Sequence, residues 1–74
     1  MTDPVLRLDC RGQRCPRPII ELALHLGEVP VGAVIELLAD DPAAAPDVAA
    51  WCRMRGQVLL TSEPPRFLVR RTED

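Results

Sequence analysis

The pattern of apolar and polar positions along the chain predicts six short elements in the order β-α-β-α-β-β. Two runs rich in Val, Leu and Ile, residues 5–9 and 33–39, are bounded by Gly, Pro or Asp and are typical of strands. Residues 58–62 and 67–71 form two further apolar runs, and the short loop 63–66 between them suits a hairpin. The chain is therefore expected to build a four-stranded sheet.

A first helix is predicted over residues 16–26, between the first two strands. Pro16 and Pro18 are tolerated at its start, because the first turn of a helix does not use its backbone N–H groups. Gly27 and Pro30 supply the stop signals. Apolar residues recur at helical spacing and form the predicted inward face: Ile19, Leu22, Ala23 and Leu26.

A second helix is predicted before the hairpin. Pro46 interrupts the alanine-rich segment that follows the second strand, so the stable helix is expected to start near Pro46 and Asp47 and to end at Gly56. Val48, Trp51 and Cys52 share its inward face.

This order of elements predicts a single domain, residues 1–74, with an α+β two-layer sandwich fold. The simplest arrangement is a four-stranded mixed sheet with both helices on one face. The opposite sheet face would then be partly open. Leu38 and Leu68 are expected on it as an exposed apolar patch that would serve as a docking surface.

Size and composition narrow the function. At 74 residues the chain has little room for a large cofactor site, and no cofactor is expected. Its apolar stretches are shorter than the roughly 20 residues that cross a bilayer, and residues 1–4 do not resemble a secretory signal. We therefore expect a cytoplasmic protein with no membrane association. The net charge of −2 argues against direct nucleic-acid binding.

Three cysteines, an odd number, argue against a disulfide scaffold and for reduced thiols. Their spacing does not match a structural zinc site, for which the chain offers only one histidine, His25. Asp40 and Asp41 precede a proline and are interpreted as a strand end and helix cap rather than as metal ligands. No metal site is expected.

Cys15 is the candidate reactive residue. It lies at a predicted helix start, where free backbone N–H groups and the helix dipole favour an anion, so its pKa is expected to fall below the usual value near ~8.5. Arg14 and Arg17 would add to the same field if they turned towards the sulfur. Cys52 is interpreted as a core residue, whereas Cys10 is compatible with either packing or chemistry.

The segment around Cys15 contains residues suited to shaping a loop. Gly12 breaks the first strand, and Pro16 and Pro18 stiffen the entry to the helix. Asp9, at the end of the strand, is expected to accept hydrogen bonds from backbone N–H groups of the loop. Arg11, Arg14 and Arg17 surround the thiol and are candidate contacts for acidic surfaces of partner proteins.

Several of these residues together resemble the TusA family of small sulfur-carrier proteins, also called SirA-like. The similarity rests on Leu8-Asp9, Gly12, Cys15-Pro16-x-Pro18 and the segment 39–43, Ala-Asp-Asp-Pro-Ala. It implies a β-α-β-α-β-β two-layer fold and a sulfurtransferase that carries sulfane sulfur as a persulfide on Cys15.

The resemblance also implies protein partners. These are a sulfur donor, such as a cysteine desulfurase or a rhodanese, and a sulfur-acceptor protein. The implied destinations are tRNA thiolation, molybdenum cofactor assembly or sulfur oxidation, and the chain is expected to be a monomer or a weak homodimer.

Three positions depart from the family pattern. Ala23 and Leu24 replace a basic pair common in members of the tRNA-thiolation type, and Gln13 replaces a frequent Leu. Cys10 occurs in some members only, and is either a resolving thiol or, as we prefer, a small residue at a strand end.

The Cys10 and Cys15 pair motivates an alternative function, a non-catalytic thiol-redox regulatory or protein-interaction module.

Overall fold

The computed structural model describes residues 3–73 and has the predicted order of elements. A 3₁₀ turn, Leu26–Glu28, directly follows the first helix. The helices and strands are β1 (Leu6–Asp9), α1 (Arg17–His25), β2 (Val34–Leu38), α2 (Ala44–Arg55), β3 (Val58–Glu63) and β4 (Arg66–Arg70).

The four strands form one mixed sheet in the order β1-β2-β4-β3. β1 runs parallel to β2, whereas the other two pairs are antiparallel. The parallel pair is possible because α1 supplies the crossover that two parallel strands require. As a result β1 and β2 end at the same edge of the sheet, with Asp9 opposite Leu38.

Both helices pack on one face of this sheet, as predicted. Alternate residues of the two central strands point to that face and are fully buried, among them Ile35, Leu37 and Phe67. Leu22 from α1 and Val48 from α2 meet them with no exposed surface. The predicted inward residues Trp51 and Cys52 are also buried.

The inward face of α1 differs from the predicted one at two positions. Leu22 and Leu26 are buried as expected, and Ile19 is half-buried, but Ala23 is exposed. Pro18 is fully buried instead. The buried residues follow an i, i+4, i+8 spacing, so the face is rotated towards Pro18 and away from Ala23.

α2 begins at Ala44, so the prediction of a start near Pro46 and Asp47 was wrong. Pro46 is the third helical residue, a position where the backbone N–H has no partner within the helix and its loss is tolerated. The predicted end is confirmed: Gly56 adopts a left-handed conformation with φ 69° and donates its N–H to the carbonyl of Cys52.

The sheet face opposite the helices does not expose the predicted apolar patch. Leu38 and Leu68 are only 5% and 6% exposed. Glu36 lies between two arginines on this face, with Arg7 Nε at 3.2 Å and Arg66 Nε at 2.6 Å from its carboxylate. Long arginine side chains bury apolar surface under their stems. This face therefore presents the ion pairs of Glu36 with Arg7 and Arg66 in place of the expected apolar docking surface.

Candidate functional site

Cys15 lies in the loop that joins β1 to α1, two residues before the helix begins. Its side chain is half-buried and packs against the edge of the core. The other two cysteines, Cys10 and Cys52, lie inside the core with 2% and 3% exposure. All three thiols are unpaired. Cys15 is consequently the cysteine that another molecule can reach.

Two carboxylates from the segment between β2 and α2 hold this loop in place. Gly12 donates its N–H to Asp40 Oδ1 at 2.9 Å, and Cys15 donates its N–H to Asp41 Oδ2 at 3.3 Å. The other oxygen of Asp41 accepts the N–H of Ala43 at 2.8 Å, in the turn that leads into α2. The loop that carries the thiol is thus tied to the start of the second helix.

This role of Asp40 and Asp41 was not predicted from the sequence pattern, which indicates a strand end and helix cap. The residue that precedes α2 is Ala43, which has no side chain able to cap it. The parallel pairing of β1 and β2 contained the missing signal. Because parallel strands end at one edge of a sheet, the segments that follow β1 and β2 must lie side by side.

The hydrogen bond expected from Asp9 is present. Asp9 Oδ1 accepts the N–H of Arg11 at 3.2 Å, and its Oδ2 lies 2.7 Å from the Arg11 guanidinium. The hydrogen bonds from the Arg11 side chain and backbone lower the pKa of the Asp9 carboxyl to about 2. Asp9 therefore fixes the first residues of the loop, while its effect on the position of the thiol stays a prediction.

The other predicted loop-shaping residues occupy distinct places. Gly12 has a φ of +82°, a conformation that side-chain-bearing residues rarely adopt. Pro16 is exposed and directly precedes α1, whereas Pro18 is the second residue of α1 and is buried. The turn at Gly12 therefore precedes the thiol in the chain, and the buried Pro18 follows it.

All three predicted partner-binding arginines are exposed. Arg11 is paired with Asp9, and Arg17 lies 3.6 Å from Glu21, one turn along α1. Arg14 lies next to the thiol in sequence and contributes its carbonyl to the N–H of Arg17. The structure thus arranges positive charge around the loop, but two of the three guanidinium groups already have an acidic neighbour.

The expected lowering of the Cys15 pKa was wrong. Burial raises the pKa of Cys15 to about 11, with further contributions from a hydrogen bond to Asp47 and from the negative charges of Asp47 and Asp41. The nearby charges that shift this pKa are those of carboxylates, so the field predicted from Arg14 and Arg17 does not dominate at the sulfur. The free protein therefore holds Cys15 as a protonated thiol at neutral pH.

The start of α1 explains why it does not stabilise a thiolate. An anion at a helix N-terminus is bound by backbone N–H groups that have no other partner. The N–H of Arg17 already donates to the carbonyl of Arg14 at 2.9 Å, and Pro16 and Pro18 have none to offer. With few donors and two nearby carboxylates, the neutral form of the thiol is the favoured one.

A shallow groove of about 300 Å³ opens beside the loop, between α1 and α2. Asp47 is the charged residue of a lining that is otherwise mostly apolar. Trp51 forms part of this lining and carries the Arg55 guanidinium over its ring, 5.6 Å from the centroid. The full lining consists of Pro16, Ile19, Asp47, Ala50, Trp51 and Met54.

Within residues 3–73, no three His, Cys, Asp or Glu side chains are grouped so that they could hold a metal ion. Neither of the helices described there is long and apolar enough to cross a membrane. What the site offers is a single accessible thiol, a carboxylate beside it and an open apolar groove.

These features define a class: a small α+β thiol protein whose one accessible cysteine lies on a loop between a strand and a helix. The sequence profile of the family described as "Sulfurtransferase TusA" matches residues 6–70. The chain belongs to this TusA sulfurtransferase family. A role in sulfur transfer, with protein partners in a relay, follows from that membership.

Two proteins of Archaeoglobus fulgidus are similar to the chain, and each bears the name "Putative sulfur carrier protein". One is 40% identical over 57 residues, which cover 77% of this chain and 74% of the relative. The other is 38% identical over 53 residues, which cover 72% of this chain and 73% of the relative. Each of the two similarities therefore covers about three quarters of this chain and of the relative.

Proposed function

We propose that the chain is a cytoplasmic sulfur carrier, acting as a single domain, that holds sulfane sulfur as a persulfide on Cys15. The observation that carries this proposal is that Cys15 is accessible, whereas the other two cysteines are buried. Membership of the TusA family and the names of the Archaeoglobus proteins support it. Three unpaired thiols suit a reducing compartment such as the cytoplasm.

Loading is an exchange at sulfur. The Cys15 Sγ attacks the outer sulfur of a donor persulfide, a new S–S bond forms, and the donor S–S bond breaks. The Cys15 thiol and the donor R–S–SH thereby become the Cys15 persulfide and R–SH, and the proton lost by Cys15 balances the one gained by the leaving thiol. Unloading repeats the exchange, with a nucleophile of the acceptor attacking the outer sulfur and the Cys15 thiol leaving.

Specificity in this proposal comes from docking, since the groove beside the thiol is shallow and open. In this proposal the exposed Arg11, Arg14 and Arg17 contact acidic surfaces on a donor, such as a cysteine desulfurase or a rhodanese, and on an acceptor protein. The pathway served is one of those implied by the family: tRNA thiolation, molybdenum cofactor assembly or sulfur oxidation.

Intact-protein mass spectrometry under non-reducing conditions tests the proposal. The protein is incubated with inorganic polysulfide, and a gain of one sulfur, about 32 Da, is expected and should be reversed by reductant. Cys15→Ser should abolish the gain. Cys10→Ala and Cys52→Ala are the matched controls, because alanine leaves no polar atom in the core where these residues are buried.

Sulfur uptake by Cys15→Ser equal to that of the wild type would overturn the proposal. A loss of two hydrogens that requires both Cys10 and Cys15 would favour the thiol-switch alternative instead.

A further inference from the structure

We propose that the groove between α1 and α2 is the interface of a reversible dimer, in which a second copy of this chain packs its own α2 against it. The proposal concerns self-association and does not depend on the carrier function. The occupant is a second copy because the charged and apolar residues along α2 are complementary to themselves about a two-fold axis.

One row of side chains on α2 carries this complementarity. Asp47, Trp51 and Arg55 are spaced by four residues, so they follow one another along the same side of the helix. Asp47 lies in the first turn of α2, and Arg55 is its last residue. Asp47 and Trp51 line the groove, and the Arg55 guanidinium lies over the Trp51 ring. The row is therefore acidic at one end, aromatic in the middle and basic at the other end.

Two such rows fit together when the two helices run antiparallel. A two-fold axis beside Trp51 brings Asp47 of one copy level with Arg55 of the other, because each lies four residues, about 6 Å, from the axis. The interface then gains an ion pair at each end, between the Asp47 carboxylate of one copy and the Arg55 guanidinium of the other. In a parallel pair, like charges would meet at both ends instead.

The charged groups of this row have no ionic partner within their own chain. No ion pair among residues 3–73 includes Asp47 or Arg55. Asp47 is half-buried in a groove whose other lining residues are mostly apolar. A partner that covers this carboxylate must therefore supply a positive charge or leave a negative charge buried and unpaired. Arg55 of the second copy supplies that charge.

Apolar residues next to this row add to the interface. Met54 is 82% exposed, and the half-buried Ala50 lies one turn before it on the same side of the helix. In the antiparallel pair, Met54 of each copy falls within about 3 Å, along the helix axis, of Ala50 of the other. The small alanine leaves room for the methionine, so association removes an exposed apolar side chain of each copy from water.

The size of the surface predicts a weak dimer. A stable interface buries roughly 800 Å² per partner, which is about a fifth of the 4355 Å² surface of this chain. α2 has 12 residues and is about 18 Å long, so one of its sides and the rim of the groove cover less than that. We expect a dissociation constant of roughly 10 µM to 1 mM.

Dimer formation has a consequence for the thiol. Pro16, the residue after Cys15, lines the same groove. A second copy in the groove narrows access to the sulfur and occupies a surface beside it that another protein would use. Self-association thus shields Cys15 until another partner takes the place of the second copy.

Sedimentation velocity from about 10 µM to about 1 mM protein tests the proposal. Reductant is present throughout, so that no dimer is held by a disulfide between two Cys15 residues. The wild type should shift from monomer towards dimer over this range. Asp47→Arg and Arg55→Asp should each weaken self-association at least tenfold, because each places like charges opposite one another. An equimolar mixture of these two variants should associate again, since the charges across the mixed interface are opposite at both ends.

Met54→Glu tests the same interface without disturbing the core, because this side chain is largely exposed. It should weaken self-association at least tenfold. Val31→Glu, at an exposed apolar residue of the loop before β2, is the matched control and should associate as the wild type does. Alkylation of Cys15 by iodoacetamide should be slower in the concentrated wild type than in the dilute one, with no such difference in Met54→Glu.

A wild type that stays monomeric at about 1 mM would overturn the proposal, as would a dimer that Met54→Glu leaves intact. The antiparallel register would be overturned by a mixture of the two charge variants, both folded by circular dichroism, that remains monomeric. An alkylation rate of the wild type that does not depend on concentration would overturn the shielding of Cys15. Sulfur uptake by Cys15 is measured separately by mass spectrometry, so failure of the dimer and failure of the carrier function are distinct results.

Discussion

Replacement of Asp41 by alanine should lower the free energy of unfolding by about 2 kcal/mol and loosen the loop that carries the thiol. The Asp41 carboxylate accepts N–H groups from Ala43 at 2.8 Å and from Cys15 at 3.3 Å. One side chain thereby joins the turn before α2 to the loop before α1. Both hydrogen bonds are partly buried, so water replaces them incompletely.

The magnitude follows from the two distances. A hydrogen bond to a charged group contributes about 1.5–3 kcal/mol, and the short bond to Ala43 is assigned the lower end of that range because it is only partly shielded from water. The long bond to Cys15 adds about 0.5 kcal/mol. A domain of this size has a net stability of about 3–5 kcal/mol, so the substitution removes around half of it.

Urea unfolding followed by the fluorescence of the single tryptophan, Trp51, measures this loss. With a slope of about 1 kcal/mol per molar urea, the midpoint should move down by about 2 M. Asp41→Asn, which keeps one acceptor oxygen, should move it by about half as much. A shift below about 0.5 M for Asp41→Ala would refute the assignment of these hydrogen bonds as the tie between the two segments.

The same variant changes the chemistry of the thiol in a known direction. The negative charge of Asp41 is one of the causes that raise the pKa of Cys15, so its removal should lower that pKa. Alkylation of Cys15 by iodoacetamide at pH 8, read by peptide mapping, should then be faster than in wild type. An unchanged rate would mean that the negative charge of Asp41 does not affect the pKa of Cys15.

Three further predictions concern stability. Gly12→Ala should lower the free energy of unfolding by about 1 kcal/mol, because the residue at this position has a positive φ. Gly27→Ala is the control, since Gly27 has no positive φ and equally open space around it, and it should not lower that free energy. The urea midpoints of the two variants measure the difference. Leu22→Ala should cost about 2–5 kcal/mol and leave much of the protein unfolded by circular dichroism, while the exposed Leu24→Ala should change stability by less than about 0.5 kcal/mol. The contact with Glu28 raises the pKa of His25, so the stabilisation from His25 is complete below pH 6.5 and is lost as pH rises through its folded-state pKa; His25→Gln should flatten this dependence.

The elements were predictable because burial imposes a period on the sequence. A bounded run of Val, Ile and Leu such as residues 33–39 indicates a strand, and the spacing of Leu22 and Leu26 indicates a helix face, without reference to the rest of the chain. The start of α2 was misplaced because a proline in the first turn of a helix produces the same pattern as a proline that interrupts one.

The site was less predictable because its contacts join distant parts of the sequence. The candidate thiol could be singled out, since the sequence pattern gives no packing reason for a cysteine among prolines and polar residues. The hydrogen bonds that Gly12 donates to Asp40 and that Cys15 donates to Asp41 span 28 and 26 residues. Burial raises the pKa of Cys15 most, and Asp47 and Asp41 raise it further, so local helix-dipole reasoning gave the wrong sign.

A protonated thiol is better suited to a carrier than the reactive thiolate that the sequence suggests. A carrier diffuses between partners, and oxidants or electrophiles met on the way attack thiolates selectively. With its pKa raised to about 11, Cys15 is almost entirely a protonated thiol at pH 7. Transfer at Cys15 therefore requires that its proton be removed where a donor or acceptor is bound, which reconciles that protection with sulfur transfer.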